Sequence, residues 1–409
     1  MEQWNIIKAY DYCYNVTDGT HDSPKQTEFG KYLITSKHIK DNRIDFESAY
    51  KISEDDYNKI ITRSKVDQWD IIISMIGAYC GFCCIESSKQ TDYAIKNVGL
   101  LKVGNELKCK WLYYYLTSPH GKQQLSKLRS GSSQPYISLG ALRNLDIPVP
   151  NENTMSDIVS VLSSLDSKIE LNRRINDNLE QQAQALFKAW FVDNPNPYWE
   201  ETTLSEVASF IGGYSYKGDE LADSSDIAMA TIKNFGRNGG FKVDGFKDIT
   251  PSTKLKECQY VDMFDVLVAH TDLTQNADVI GNAELLLTYG KYDRVIFSMD
   301  LVKVLPKNNF PYKFLLAAML KNKIFKGHCL GYVNGTTVLH LNKKALPEFE
   351  IRIPSEYEAR TMNDTLAPYF EQMAEVLQEN ERLILLRDTL LPKLMSGELK
   401  ISDIETAYE

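Results

Sequence analysis

The sequence predicts an α+β chain: two similar mixed α/β domains separated by two long helices that form an antiparallel coiled coil, a pseudo-two-fold internal repeat. Three observations predict it. The chain matches itself at a nearly constant offset, each matched unit mixes strand-like and helix-like patterns, and each unit is followed by a heptad-patterned run. The expected boundaries are residues 1–151 for the first domain, 152–194 for a central spacer helix, 195–354 for the second domain, and 355–409 for a distal spacer helix and C-terminal tail.

The repeat starts at Trp4 and Trp199, an offset of 195, and Trp69-Asp70-Ile71-Ile72-Ile73 meets Phe264-Asp265-Val266-Leu267-Val268 at the same offset. Further on, Gly131-Ser132-Ser133 faces Gly335-Thr336-Thr337, and Asp146-Ile147-Pro148-Val149-Pro150 faces Glu350-Ile351-Arg352-Ile353-Pro354, now at an offset of 204. Nine residues are therefore inserted in the second unit. Part of the insertion falls in residues 269–281, against the shorter 74–81, and is expected to be a longer surface loop. Residues 71–74 and 266–269 read as strands, and 110–124 and 311–326 as helices. Most of the tyrosines at 10, 12, 14, 113, 114, 115 and 136 are expected to serve the core.

Each unit ends at a proline followed by a capping-box pattern, Thr154-Met155-Ser156-Asp157 and Ser355-Glu356-Tyr357-Glu358, which opens a helix. Asp193-Asn194-Pro195 stops the first helix and Ser396-Gly397 the second. Along the first, Ile158, Leu162, Leu165, Ile169, Asn172, Asn176, Leu179, Ala183, Leu186 and Trp190 alternate at spacings of four and three. The second repeats this register with Met362, Leu366, Tyr369, Met373, Val376, Asn380, Leu383, Arg387, Leu390 and Leu394. So long a seam predicts that the helices pair, and antiparallel pairing would put the domains at opposite ends of a rod about 55 Å long. Asn172, Asn176 and Asn380 are expected to pin the register.

Composition and charge narrow the chemistry. Seven cysteines in 409 residues do not suggest a disulfide framework, and the CxxC within Cys80-Gly81-Phe82-Cys83-Cys84 has no second pair at zinc-finger spacing, so buried strand cysteines are expected and no metal. The start lacks a basic segment followed by an apolar run, and no stretch approaches about 18 apolar residues; an intracellular, cytoplasmic protein is expected. The net charge of −9 divides as +2 over residues 1–150, −3 over 151–198, −1 over 199–354 and −7 over 355–409. Acidity thus sits in the helices and leaves the domains near neutral. There is no Gly-x4-Gly-Lys-Ser/Thr loop, no Gly-rich turn after a strand, and no Asn/Asp-Pro-Pro-aromatic motif. Asn196-Pro197-Tyr198 reads as a hinge, Glu54-Asp55-Asp56 as an exposed acidic turn, and the six histidines share no helical or hairpin spacing.

With these patterns in hand, the chain resembles, over essentially its whole length, the specificity subunit of a type I restriction-modification system. The resemblance rests on residues 131–134, Ile147-Pro148-Val149-Pro150, the Leu162, Leu165, Asp166, Ile169 pattern, and the Leu186-Phe187-Lys188-Ala189-Trp190-Phe191 helix end. The first unit also resembles one class of target recognition domain, in Asp18-Gly19-Thr20-His21 followed by Pro24, in Leu33-Ile34-Thr35-Ser36, and in the Trp69 strand with Gly77 and Gly81. The second departs from it, with Gly212-Gly213-Tyr214 at that turn and Tyr369-Phe370 replacing the Leu-Asp pair.

The resemblance implies a non-catalytic DNA-reading subunit for a bipartite, interrupted, asymmetric duplex target, each half read by one domain, in a phage-defence system. It implies docking of two modification (methyltransferase) subunits on the helices, and of restriction-translocase subunits. S-adenosylmethionine, ATP and Mg would belong to those partners, with no cofactor in this chain. A rod of about 55 Å would match roughly 16 base pairs at about 3.4 Å each.

For DNA contact, loops that mix cations, hydroxyls and amides are the candidates, because phosphates position and base edges specify. In the first domain these are Thr20, His21, Lys25, Ser36, Lys37, His38, Lys122, Lys127, Arg129 and Gln134. In the second they are Tyr214, Tyr216, Lys217, Lys233, Arg237, His270, Thr271, Gln275, Lys321 and Lys326. Lys127 and Arg129 are expected to serve all DNA binding, and His21 and Gln275 to set the preferred sequence. Helix register and assembly are assigned to Leu162, Leu165, Ile169, Asn172, Asn176, Leu179, Leu366, Tyr369, Met373, Asn380 and Leu383. The competing reading is a coiled-coil scaffold or adaptor without DNA binding, which the near-neutral domains allow.

Overall fold

A computed structural model describes residues 4–40, 42–131, 134–274 and 276–401. The chain forms two compact units, one from the described residues up to Lys168 together with those from Ile384, the other from Ile169–Leu383. Each unit therefore contains one recognition-type domain and a length of both long helices.

In the first unit, strand Asn5–Lys8 pairs antiparallel with Asp146–Val149, closing the domain on itself. A four-stranded antiparallel sheet runs in the order Asn15–Asp18, Val98–Lys102, Asp70–Ser74, Cys83–Ile85. A smaller sheet places Lys31–Thr35 between Tyr50–Ile52, antiparallel, and Tyr93–Lys96, parallel. Asp70–Ser74 is buried at every position, which is why its sequence is a continuous β-branched run and not an alternation. Cys83 and Cys84 lie buried on a strand, and burial pushes the Cys83 thiol up to about 12.

The second unit repeats this plan. Glu200–Thr203 pairs with Glu350–Ile353, and a four-stranded sheet has the order Ala208–Gly212, Leu301–Pro306, Val266–Ala269, Ala283–Leu285. The smaller sheet again holds a parallel pair, Ile227–Ala230 with Arg294–Phe297, and gains a strand, Tyr260–Val261. Trp69 and Phe264, each leading into the buried sheet strand, share the left-handed backbone region at φ 65° and 68°. For bulky residues this conformation is uncommon, and its recurrence at offset 195 marks one inherited turn.

Local differences from the sequence reading have simple causes. The single helix expected at 110–124 is two, Glu106–Thr117 and Pro119–Lys127, because Ser118 caps the second by accepting the Gly121 N–H at 3.1 Å. Its counterpart Asn322 does the same between Lys313–Leu320 and Lys323–Leu330. Residues 269–281 are not a free surface loop. Thr271–Asp272 pairs with Leu339–Leu341, and the buried Asp272 carboxylate accepts the N–H groups of Thr274 and Val279 at 2.7 and 2.8 Å, so the insertion is folded inward. Of the seven tyrosines assigned mostly to the core, Tyr114 and Tyr115 are buried and Tyr12 and Tyr113 half-buried, whereas Tyr10, Tyr14 and Tyr136 are exposed.

The central helix is Glu152–Lys188, continued by a π-type turn at Ala189–Asp193, and the distal helix is Glu356–Met395. The central helix opens earlier than its expected box, because Asn151, not Thr154, supplies the cap, accepting the Thr154 N–H at 2.9 Å. The distal box is as expected: Ser355 N–H donates to Glu358 Oε2 at 3.0 Å and Glu358 N–H to Ser355 Oγ at 3.4 Å. Glu358 also accepts the Trp199 indole N–H at 3.0 Å, which ties the start of the second repeat to the distal helix.

The helices pair antiparallel within each unit. In the first, Arg387 meets Asp166 at 2.9 Å, and Asp166 also accepts the Tyr114 hydroxyl at 2.8 Å. In the second, Asn172 donates to Glu379 at 2.7 Å, Asn176 to the Met373 carbonyl at 3.3 Å and Asn380 to the Ile169 carbonyl at 3.4 Å. Numbers rise along one helix as they fall along the other. The seam residues Leu162, Ile169, Leu179, Leu366 and Met373 are buried, and Leu165, Tyr369 and Leu383 half-buried. The three asparagines bond across to the opposite helix, and their Oδ1 atoms are buried with no hydrogen-bond partner, a cost that apolar seam residues would avoid.

Candidate nucleic-acid interface

In the first unit the chain brings three separate turns together. Gly19 lies so close to the parallel strand that a Cβ there would stand 2.3 Å from the Ile95 carbonyl oxygen. This lets Thr20 N–H reach the Ile95 carbonyl at 3.0 Å, and Asn97 N–H the Thr20 carbonyl at 3.2 Å. Asn97, left-handed at φ 55°, carries the single-residue turn between Tyr93–Lys96 and Val98–Lys102. Its carbonyl accepts the Ser36 hydroxyl at 3.0 Å. His21 fixes the cluster, with Nε2 3.0 Å from Asp18 Oδ2 and Nδ1 3.1 Å from Asn97 Oδ1, and Asp18 is ion-paired with Arg63. Lys96 reaches Ser23 at 2.6 Å. Lys25 and Lys37 are exposed at the rim.

A second patch forms where the 74–82 turn meets the segment after helix Pro119–Lys127. Ile76 and Ser130 both bridge to Tyr136, and Arg129 donates to the Cys80 carbonyl at 2.5 Å. Lys122, Lys127, Arg129 and Gln134 are all exposed there. Lys40, on the hairpin after Ser36–His38, lies over the Tyr79 ring at 5.2 Å and so stands beside this patch. Ser132 and Ser133 of the Gly-Ser turn lie outside the described residues.

The second unit builds the same frame with other side chains. Gly213 approaches Ser298 as Gly19 approaches Ile95, with 2.1 Å from a built Cβ to the Ser298 carbonyl oxygen. Tyr214 N–H then reaches the Phe297 carbonyl at 2.7 Å, and Met299 N–H the Tyr214 carbonyl at 2.9 Å. Lys217 and Lys233 are exposed. Arg237 is exposed on a glycine-rich hairpin closed by Phe235 and Phe241, its guanidinium 3.5 Å from Asp278. The half-buried His270 is joined through its N–H to the Asp300 carbonyl at 2.8 Å, and burial lowers its pKa below the ordinary imidazole value.

Several expected contacts are internal instead. His38 is fully buried and its Nδ1 accepts the Thr35 N–H at 2.9 Å, a cap that holds the 3-10 turn; burial lowers its pKa and keeps it neutral. Asn234 makes the equivalent bond to Thr231 N–H at 2.8 Å. Tyr214 is buried, its hydroxyl donating to Glu220 at 2.6 Å, and Tyr216 packs half-buried against the same apolar cluster. Thr271 is buried beside His340. Lys321 is sealed in an ion triad with Glu284 and, at 3.4 Å, Glu180 of the central helix. Lys326 spends its ammonium on the Asp278 carbonyl at 2.6 Å. Each is committed to the fold, and none of the fully buried ones can meet a duplex. Gln275 lies outside the described residues.

Sequence reading missed Lys96, Asn97 and Met299. Asn97 carried one usable signal, an Asn between two short apolar segments, residues 93–95 and 98–101, which favours a left-handed turn. Nothing local linked it to His21, 76 residues away.

Comparison with known proteins identifies the family. The family model described as the type I restriction modification DNA specificity domain matches residues 2–181 and 196–383. The type I restriction enzyme HindI specificity subunit of Haemophilus influenzae is 25% identical over 348 residues, covering 68% of this chain and 74% of that protein. The MjaIX specificity subunit of Methanocaldococcus jannaschii is 23% identical over 316 residues, covering 72% and 70%. The crystal structure of a type I restriction-modification S subunit from M. genitalium shares the fold, with a TM-score of 0.50, 18% identity and 96% of both chains covered. With the family match spanning both halves of the repeat, the chain belongs to the DNA sequence-specificity subunits of type I restriction-modification systems.

Proposed function

We propose that the two domains read the two halves of a bipartite, asymmetric duplex target, and that the paired helices act as spacer and as docking surface for two modification subunits. The observation that carries this reading is the duplicated frame with unlike side chains: the same backbone contacts present His21 and Asn97 in one domain and Ser215 and Met299 in the other. Equal frames give both domains the same approach to a groove, and unequal side chains give them different sequences to read.

Cations at the rims, Lys25, Lys37, Lys122 and Lys127 in the first domain and Lys217 and Lys233 in the second, supply phosphate contacts. The acidic helices face protein partners. The chain itself performs recognition, while methyl transfer with S-adenosylmethionine and ATP- and Mg-dependent restriction belong to partner subunits. A scaffold without a DNA role is disfavoured by membership of a DNA-specificity family.

The test is reconstitution with the modification subunit, methylation of random-sequence duplex DNA, and mapping of the modified sites. A gapped two-part motif with unlike halves is expected. A contiguous or palindromic motif overturns the reading, as does unmodified DNA.

A further inference from the structure

Met299 is a large apolar side chain with 57% of its surface exposed, on a turn whose backbone is fixed at both ends. Its N–H is held by the Tyr214 carbonyl at 2.9 Å, and the next residue's carbonyl accepts the His270 N–H at 2.8 Å. In the first domain the residue in the same place is Asn97, held by the Thr20 carbonyl, with its Oδ1 on His21. That bond leaves the Asn97 amide N–H groups without a described partner. The turns differ in length, a single left-handed residue at Asn97 against Ser298-Met299-Asp300, yet each presents one residue whose N–H is held by the carbonyl of Thr20 or Tyr214, hydrogen-bonding in the first domain and apolar in the second. A single exposed apolar residue is ordinary on a protein surface; what singles out Met299 is its place, held by the Tyr214 carbonyl as Asn97 is held by the Thr20 carbonyl.

We propose that Asn97 and Met299 are the equivalent specificity-determining residues of the two domains, a reading that rests on the proposed DNA function. Asn97, braced by His21, donates to an acceptor on a base edge in the first half-site. Met299 contacts the 5-methyl group of a thymine in the second. Methionine has no strong donor or acceptor, and the thymine methyl is the apolar feature of the major-groove edge.

The experiment uses the full chain assembled with its modification subunits and measures methylation of duplexes carrying the mapped motif. Thymines of each half-site are replaced singly by deoxyuridine, which removes only the methyl group. One replacement in the second half-site is expected to lower kcat/KM about fourfold, the worth of one buried methyl group. Met299→Ala should erase that difference while leaving first-half replacements unaffected. Asn97→Gly, which keeps the left-handed backbone, should relax one position of the first half-site and none of the second. A second half-site without thymine on either strand overturns the proposal, as does wild-type indifference to every replacement, unchanged deoxyuridine sensitivity in Met299→Ala, or an unchanged first half-site in Asn97→Gly. A wild-type complex that recognises no gapped motif instead overturns the proposed function itself.

Discussion

The two recognition domains share a skeleton and differ in where they keep their charge. On the helix after Ser118 the first leaves Lys122 and Lys127 exposed, although it buries Lys102 against Asp67 and Asp70 elsewhere. The second draws the matching region inward: Lys321, just before the equivalent cap Asn322, is sealed against Glu284 and Glu180, and Lys326 bonds to the Asp278 carbonyl. Burial lifts the Glu284 carboxyl, and the carboxylates around Lys321 hold its ammonium above the usual lysine range. A duplicated frame therefore carries two exposed lysines at this helix in one copy, and in the other a strut between domain and central helix beside a single exposed lysine, Lys323.

The largest expected effect breaks that strut. Lys321→Ala leaves two carboxylates facing one another and should destabilise the second unit by about 3–5 kcal/mol, read as a lower denaturation midpoint. Thr117→Ala, at the equivalent place in the first unit, should cost under about 1 kcal/mol. Comparable losses at both positions would erase the contrast.

Next comes DNA. Lys127→Ala should weaken specific and random duplexes alike and reduce the salt slope by about one. His21→Ala should alter the preferred sequence in one half-site, because it releases the Asn97 side chain and leaves Asp18 with Arg63 alone. Binding to specific and random duplexes over a salt series separates the two roles, and identical behaviour of both variants would refute the division.

A smaller effect is expected in the helix pair. Asn380→Leu removes a buried oxygen without a partner and should stabilise the second unit by roughly 1 kcal/mol, while loosening the register that the Ile169 bond defines. Engineered cysteine pairs at two alternative registers would report it. One crosslinked register in wild type and two in the variant is the expected result.

The smallest distinguishes His38 from Asn234. Because the folded-state pKa of His38 is depressed, its neutral cap contributes fully above the unfolded value near 6.5 and loses stability as pH falls through that value toward the folded one. The first unit should weaken across this window. His38→Asn, which copies the second unit's cap, should flatten the dependence, and a denaturation series from pH 7.5 to about 5 would show whether it does.

Periodicity made much of this legible in the sequence. The repeat appeared as matched Trp, strand and Ile-Pro patterns, and the seam as fours and threes, because those signals are local and recur. What stayed hidden depends on distant chain segments. His38 and Lys321 looked like loop cations, yet a cap bond and two acidic neighbours, one of them 141 residues away at Glu180, decide their places. The inserted stretch looked polar, but Asp272 satisfies its own turn and lets it fold inward. His21 was singled out by residue type; its partner Asn97 became visible only when Gly19 brought the two strands together.

That glycine contact has a consequence for how such a molecule changes its target. At Gly19 and at Gly213 any side chain would collide with a carbonyl oxygen, so these two positions are closed to substitution, while the exposed His21 in one domain and Ser215 and Met299 in the other stand on the backbone that those glycines allow. On the proposed reading, a change at these exposed positions alters what a domain reads while the glycine contact beneath it keeps its geometry.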